Sequence, residues 1–487
     1  MAQIQGTMDS TLLGDIGASH VLPRRLGTFG LVMLIVAFNS PVATVAGFMQ
    51  LSIGFGNGLG APVSFLLAGL LLLVFSVGFI GMSQHVDNPG AFYKFIVIGV
   101  GREPGLSGAF LATCAYLLIG AGSYPYMGLV AVDFVKHLTG ESIFSWHEWA
   151  LIFMAICTVL GLLRIDISVK ALGALVIVEC VLVAAWEIAV FFQGGPEGYQ
   201  TTSFTYPAFI SNSPGLGVLF AMLCMVGIEA GACFSAETRN PERSVKRATY
   251  IAIVFLAAFY SIGSWAYIIS EGGSGVIQAA ISNPVGSFFA SVERSLGKFV
   301  LTVFSLTVVT SQMIAINAIQ GSASRYLFSL GKSRILPKQL SLVHARLESP
   351  WVAVLLVTAF GFTVLEFIAW FKLDPVAAYG GITGMGIYFL LPLLIATSFS
   401  IIVFYRKNIH INAGIVTRLV APALSVIALS VLFVLTSLNL NILVGTKTMV
   451  VTSMILVFAV ASIGWLLAVY FRKFKPVIFA KIGSEDV

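Results

Sequence analysis

The stretch AFNSPVATVAGF, residues 37–48, places a proline inside an apolar run that extends from about Thr28 to Phe55. Proline has no backbone N–H and its ring collides with the preceding turn, which costs ~3 kcal/mol in a helix interior. Asn39, Ser40, Thr44 and Gly47 surround it. A proline in this company predicts a helix that is interrupted rather than continuous.

Working outward, the run is one of many. The chain has 487 residues, 58% hydrophobic and only 10% charged, against roughly 25% charged in a soluble domain. That composition excludes a soluble globular protein and predicts an all-α integral membrane protein. A span needs ~20 apolar residues, and twelve candidates lie near 28–56, 59–83, 105–135, 147–163, 168–193, 214–235, 248–270, 298–325, 350–370, 374–404, 416–438 and 446–471. The first, third and tenth are long enough to be tilted or broken. No cleavable signal is expected, because the first 27 residues carry Asp9, Asp15, Arg24 and Arg25 and lack a suitable apolar run.

Cytoplasmic loops carry the excess of Lys and Arg. With twelve spans, all but Lys136, Arg294, Lys298, Lys372 and Lys447 of the 27 basic residues fall on one side. That side is the expected cytoplasmic or inner side, and it holds both termini. The net charge of +6 then follows from topology, and nucleic acid is not expected as a partner.

The five cysteines, Cys114, Cys157, Cys180, Cys224 and Cys233, fall in helices without close pairing, so neither a disulfide nor a metal centre is expected. No HExxH, GxSxG or P-loop pattern appears. An intramembrane enzyme is disfavoured, and no cofactor is expected.

A second interruption lies in helix 6, AMLCMVGIEAGACFSAE, residues 221–237, where Gly227 and Gly231 flank Glu229. Carboxylates at bilayer depth are functional candidates by default. The breaks in helices 1 and 6 lie on spans of opposite direction, the arrangement that marks the central site of a transporter built from inverted repeats.

Three further stretches carry a resemblance. AETRNPERSVKRATY (236–250) follows the GxE of helix 6. ASRYLFSLGKSRILPKQLSLVHARLESPWVAV (323–354) runs from helix 8 into helix 9. NPGAFYKFIVIGVGREPGLSGAF (88–110) leads into helix 3. Together these resemble the amino acid-polyamine-organocation (APC) superfamily, amino acid permease branch. The resemblance implies twelve transmembrane helices in a 5+5 inverted repeat with broken helices 1 and 6, plus two appended helices. The implied organisation is a cytoplasmic segment 1–27, a first repeat 28–193, a second repeat 214–404, helices 11 and 12 at 416–471, and a cytoplasmic tail 472–487. The NSPVATVAG segment departs from the family's Gly-Ser-Gly type of break, with Pro41 and Val42 where glycine would leave bare backbone.

A broken helix offers free carbonyls to a cation and free N–H groups to an anion. The N–H groups of about Ala43–Val45 and of Ala230, Gly231 and Ala232 are therefore candidates for a substrate carboxylate. The carbonyls of Phe38–Ser40 and Met225–Gly227 are candidates for an ammonium, and the hydroxyls of Ser40 and Thr44 can add to them. Tyr116, Ser123, Tyr124, Cys224, Met225, Thr310, Ser311, Asn317 and Tyr379 are candidates for side-chain specificity.

Helix 5 carries Glu179 near its middle and Glu187 two turns on, on about the same face. By resemblance Glu179 falls near a position where some family members carry a basic residue in place of a coupling cation. Glu179 and Glu229 are thus the candidate coupling groups, for a proton or for Na+. Glu187, nearer the outer end, reads as a solvated or snorkelling carboxylate. The segment 272–291, too broken to span, reads as an outer hairpin lid.

The expected function is a secondary active transporter in the cell membrane that moves an amino acid or related amine by alternating access, as a proton-coupled symporter. Exchange of amino acids or polyamines is the alternative. A channel or a sensor on the same fold is a further class, distinguished by having no need of a coupling carboxylate.

Overall fold

The computed structural model describes residues 27–86, 92–163, 169–227, 238–344, 347 and 349–483. It is all-α, with no strand among the described residues.

Helix 1 is broken as Pro41 predicts, into a first half Thr28–Phe38, labelled the inner half after the expected topology, and a second half 41–57, labelled the outer half. Helix 2 (Ala61–Ser83), helix 3 (Arg102–Thr139), helix 4 (Trp146–Leu163) and helix 5 (Val169–Gln193) complete the first set. Helix 6 begins at Pro214–Leu223. Helices 7 to 10 follow at Pro241–Glu271, Lys298–Lys332, Trp351–Trp370 and Pro375–Lys407. Helix 11 (Val416–Leu438) and helix 12 (Lys447–Phe474) come last.

Of the three spans long enough to be broken, only the first is. Helices 3 and 10 run 38 and 33 residues without interruption although each contains a proline, Pro125 and Pro392. Neighbouring helices re-satisfy the groups that such a proline frees. These two helices pack on each other and form the middle of the molecule. Their approach is close: a methyl group on Gly386 of helix 10 would lie 2.5 Å from the Ile119 side chain.

Helix 3 also packs against helices 4, 8 and 12, helix 2 against helix 7, and the inner half of helix 1 against helices 5 and 7. In the most apolar window of helix 3, 67% is buried, against 22% in helix 12. Ile455, Phe458 and Leu466 of helix 12 face outward, as a lipid-facing surface requires. At the end of helix 12 Arg472 pairs with Glu103 at 2.6 Å and ties it to the start of helix 3.

The 272–291 segment is not a span. Two short helices, Val276–Ser282 and Pro284–Leu296, lie between helices 7 and 8 and pack on the outer half of helix 1. Asn283 accepts the Gly286 N–H at the start of the second, at 3.1 Å, so an N-cap separates the pair.

Candidate functional site: the two helix breaks

Helix 1 stops because its backbone turns left-handed at Ser40 (φ 43°, ψ 73°) and Pro41 cannot extend the hydrogen-bond ladder. The freed groups find partners from four directions. The Asn39 carbonyl accepts the Thr44 hydroxyl at 2.6 Å, and the Ser40 carbonyl accepts the Thr44 N–H at 2.9 Å. The Ser40 hydroxyl donates to the Ser311 carbonyl of helix 8 at 2.9 Å. The Val42 N–H points at Glu179 Oε2 of helix 5, at 3.4 Å. The Ala43 carbonyl accepts the Tyr126 hydroxyl of helix 3 at 2.7 Å. Buried polar groups carry a penalty unless paired, and here the pairs join helices 1, 3, 5 and 8.

The outer half of helix 1 is wound loosely. Residues 44–48 and 52–57 are π-helical, a form that occurs in short pieces and often at functional sites. The Gly47 carbonyl accepts the Tyr379 hydroxyl of helix 10 at 3.1 Å. The rings of Phe48, Tyr126 and Tyr379 pack together, with centroids 4.6 to 5.9 Å apart. This aromatic group packs helices 3 and 10 against the second half of helix 1.

The helix 6 break is built differently. Its first half ends at Leu223, and the chain then turns through Met225 and Val226 to Gly227, whose φ is +101°. A Cβ at Gly227 would sit 2.1 Å from Cδ1 of Phe38. The end of the inner half of helix 1 therefore rests directly on the helix 6 turn. Beside this contact lies a cavity of about 30 Å³, whose wall includes Leu72, Phe92, Tyr116, Met225, Gly227 and Leu390.

The residues named from sequence fall into three groups. Ser40, Pro41, Val42, Ala43, Thr44 and Tyr379 lie in or on the helix 1 break, while Tyr116, Met225 and Gly227 line the cavity. Ser311 meets the helix 1 break through its carbonyl, while Tyr124, Ser123, Thr310 and Asn317 turn elsewhere. Tyr124 lies against helix 9, where a methyl on Gly361 would be 3.3 Å from its ring. Ser123 and Thr310 bond carbonyls of their own helices, and Thr310 is exposed. Asn317 donates to the Met313 carbonyl, and Cys224 is buried. Glu229, Ala230, Gly231 and Ala232 lie outside the described residues.

At the helix 1 break the N–H that meets a carboxylate is that of Val42, one residue before the expected set. Two of the three carbonyls expected to meet an ammonium already accept from Thr44.

Glu179 is 2% exposed. Glu187 corrects its sequence reading: it is 6% exposed, not solvated, and its Oε1 has no hydrogen-bond partner. It lies inside because Gly263 of helix 7 leaves room, a methyl there falling 3.1 Å from Oε1. Sequence reasoning passed over Tyr126 and Phe92. Helix 3 is buried around most of its circumference, so no apolar stripe tells the face of Tyr126 from that of Tyr124. No group of three or more His, Cys, Asp or Glu able to hold a metal ion occurs among the described residues.

Comparison with known proteins agrees with this architecture. The family model described as amino acid permease matches residues 42–479. A gamma-aminobutyric acid permease of Bacillus subtilis (strain 168) is 25% identical over 302 residues, covering 58% of this chain and 60% of that protein. The aromatic amino acid transport protein AroP of Escherichia coli O157:H7 is 23% identical over 343 residues, 68% of this chain and 72% of AroP. The L-methionine/branched-chain amino acid exporter YjeH of Escherichia coli (strain K12) is 26% identical over 212 residues, 41% and 45% of the two chains. These relatives are transporters, and they support movement of amino acids across a membrane. With a family model matched along most of its length, on a helical membrane fold with a broken first helix, the chain belongs to the amino acid permease family of the APC superfamily.

Proposed function

We propose that this protein is a secondary transporter that carries an amino acid across the cell membrane by alternating access, driven by co-transport of a proton. The observation that carries the reading is the contact between Glu179 and the helix 1 break, where Oε2 receives the Val42 N–H at 3.4 Å. The charge on a helix 5 carboxylate is thereby felt at backbone that a broken helix presents to a substrate. Protonation weakens the acceptor by removing its charge and loosens the outer half of helix 1; ionisation holds it. A two-state element biased by both proton and substrate is what coupling requires.

The zwitterion's polar groups are held at the breaks, by Ser40, Pro41, Val42, Ala43 and Thr44 on one side and by Met225, Gly227, Ala230 and Gly231 on the other. Tyr126 and Tyr379 form the outer gate above them. The repeats run over 28–193 and 214–404, and both termini are cytoplasmic, a reading that the distribution of basic residues supports.

The test is uptake of labelled amino acids into proteoliposomes with and without an inward pH gradient. Wild-type protein concentrates substrate only with the gradient. Glu179→Gln, which mimics the protonated acid, abolishes accumulation and leaves exchange of internal for external substrate intact. Accumulation driven by pH alone in the Glu179→Gln protein refutes the coupling role, and Glu229 is then the next group to replace.

A further inference from the structure

Helix 5 carries a second buried carboxyl that the coupling scheme above does not use. Glu187 lies beyond Glu179 toward the expected outer end, about 12 Å further along the helix axis. It is 6% exposed and its Oε1 has no hydrogen-bond partner. We propose that Glu187 is the outer proton-carrying group of the transport cycle, which loads from the outer side and passes its proton to Glu179 by way of the Tyr260 hydroxyl. The inference rests on the proton-coupled reading above and gives that proton an entry route.

Glu187, Met49 and Val45 converge on Gly263 of helix 7, where a methyl group would lie 3.1 Å from Oε1, 3.5 Å from the Met49 sulfur and 3.7 Å from a Val45 methyl. Val45 belongs to the first π-helical stretch of helix 1, and Met49 follows that stretch directly. The carboxyl is thus sealed by the loosely wound part of helix 1. Next to it, Trp186 donates its ring N–H to Ser291 at 2.9 Å and ties the second short helix to this end of helix 5. Burying an unpaired charge costs far more than burying a neutral carboxyl, so the proton stays on Glu187 while Val45 and Met49 are in place.

Tyr260 lies one turn before Gly263 on helix 7 and so borders the same seam between helices 1, 5 and 7. It is fully buried and its hydroxyl is unpartnered. The Glu179 carboxyl and the Thr44 hydroxyl are among the groups it faces, and Cys180 faces both carboxyls. Proton transfer needs donor and acceptor within ~3 Å of each other, which two carboxyls so far apart on one helix do not meet. A tyrosine hydroxyl both accepts and donates. It takes the Glu187 proton on a lone pair as its own proton passes to ionised Glu179. Glu187 ends as the carboxylate, Glu179 as the acid, and Tyr260 is unchanged.

One movement serves both ends of the route. Protonation of Glu179 loosens the second half of helix 1, which draws Val45 and Met49 off Glu187 and admits water to the new carboxylate, and the carboxylate reloads from outside. Among the described residues, the titratable and charged groups on this half of the elements around Glu187 are Glu179 and Cys180 of helix 5, Tyr260, Tyr267 and Glu271 of helix 7, and Glu293 and Arg294 of the second short helix; helix 1 brings none between 41 and 57. Arg294 is paired with Glu271, so none of these groups offers Glu187 a cation.

The experiment uses the full-length protein in proteoliposomes with a labelled mixture of the common amino acids, and compares uptake driven by an inward pH gradient with exchange of internal for external substrate. Glu187→Gln is expected to slow gradient-driven uptake about tenfold or more, as the loss of a positioned proton carrier does, and to leave exchange at the wild-type rate. Glu187→Asp, which keeps an acid on a shorter arm, is expected to recover part of the uptake. Gradient-driven uptake at the wild-type rate in Glu187→Gln overturns the proposal, and the coupling reading stands if Glu179→Gln still abolishes accumulation. Uptake and exchange that fall together, with no recovery in Glu187→Asp, also overturn it, because the residue is then structural. If wild-type uptake ignores the pH gradient, both readings fall. Should Glu187→Gln fail to fold, Tyr260→Phe decides: slower uptake with exchange kept supports the route, and unchanged uptake overturns it.

Discussion

The two broken helices solve the same problem in opposite ways. In helix 1 the break is held by side chains: Thr44, Glu179 and Tyr126 reach its freed backbone groups from helices 1, 5 and 3, and the Ser40 hydroxyl ties it to the Ser311 carbonyl of helix 8. In helix 6 the described part of the break relies on the conformation of a single glycine, Gly227, and borders an apolar cavity. A break held by many partners tolerates the loss of one, whereas a break that depends on one backbone angle does not.

The sharpest way to break this contrast is Gly227→Ala. A φ of +101° strains any residue with a Cβ by ~1–3 kcal/mol, and the added methyl meets the Phe38 ring. Thermal melting in detergent should fall markedly and transport should be lost. Adding Phe38→Ala relieves the clash but not the strain, so only part of the stability returns. Full recovery in the double variant would show that the contact, and not the backbone angle, holds the helix 6 break.

Pro41→Ala is expected to be milder. The left-handed Ser40 and its bond to helix 8 hold the break when the proline is gone, so the helix does not close. Substrate binding, measured by the concentration dependence of uptake, should weaken about fivefold, equivalent to ~1 kcal/mol. A loss as complete as that of Gly227→Ala would mean that the two breaks are equally fragile.

Tyr126→Phe removes the hydroxyl bonded to the Ala43 carbonyl and keeps the ring against Phe48 and Tyr379. The cost should be about 1 kcal/mol in stability, with transport retained. A larger loss of transport than of stability would assign the hydroxyl to substrate rather than to helix 1.

The smallest effect lies at the outer rim. Glu197, in the segment before helix 6, accepts the Ser274 hydroxyl and N–H from the turn before the lid helices. These bonds, the hydroxyl first, hold its carboxyl below the ordinary range despite full exposure. A depressed value means that the tie is present above the ordinary carboxylate range and is lost as pH falls through the lowered value. The mobility of a spin label on a cysteine placed at the exposed Gln278, in the first of the two short helices, should rise slightly on acidification, and Glu197→Gln should remove that pH dependence. A large pH response would make the lid a principal gate, which its exposed and screened contact does not predict.

Much of this was legible from residue types. Pro41 in an apolar run announced the helix 1 break because proline acts on the backbone locally, wherever the rest of the chain goes. The long helices followed from the length of apolar runs, and the two short helices over 276–296 from runs too short to cross. Facing was not legible. Tyr124 and Tyr126 sit two residues apart on a helix buried on most sides, so their opposite directions depend on where helices 1 and 9 pack. Glu187 misled for a similar reason: its nearness to the helix end suggested water, but the space left by Gly263 on another helix decides its burial. The π-helical winding left no signature, since a segment apolar throughout shows no change of period.

That winding bears on how the chain lines up with its relatives. A π turn closes over one residue more than an α turn, and each extra residue rotates all that follows by about 100°. Residues 44–48 and 52–57 thus behave as two single-residue insertions accommodated without a loop. A permease whose first helix is α-helical throughout should be up to two residues shorter between its break and its second helix. An ungapped alignment through this stretch would then pair the wrong positions, matching the Gly47 acceptor of Tyr379 with a residue on another face. One-residue gaps belong inside this helix rather than in the loop after it.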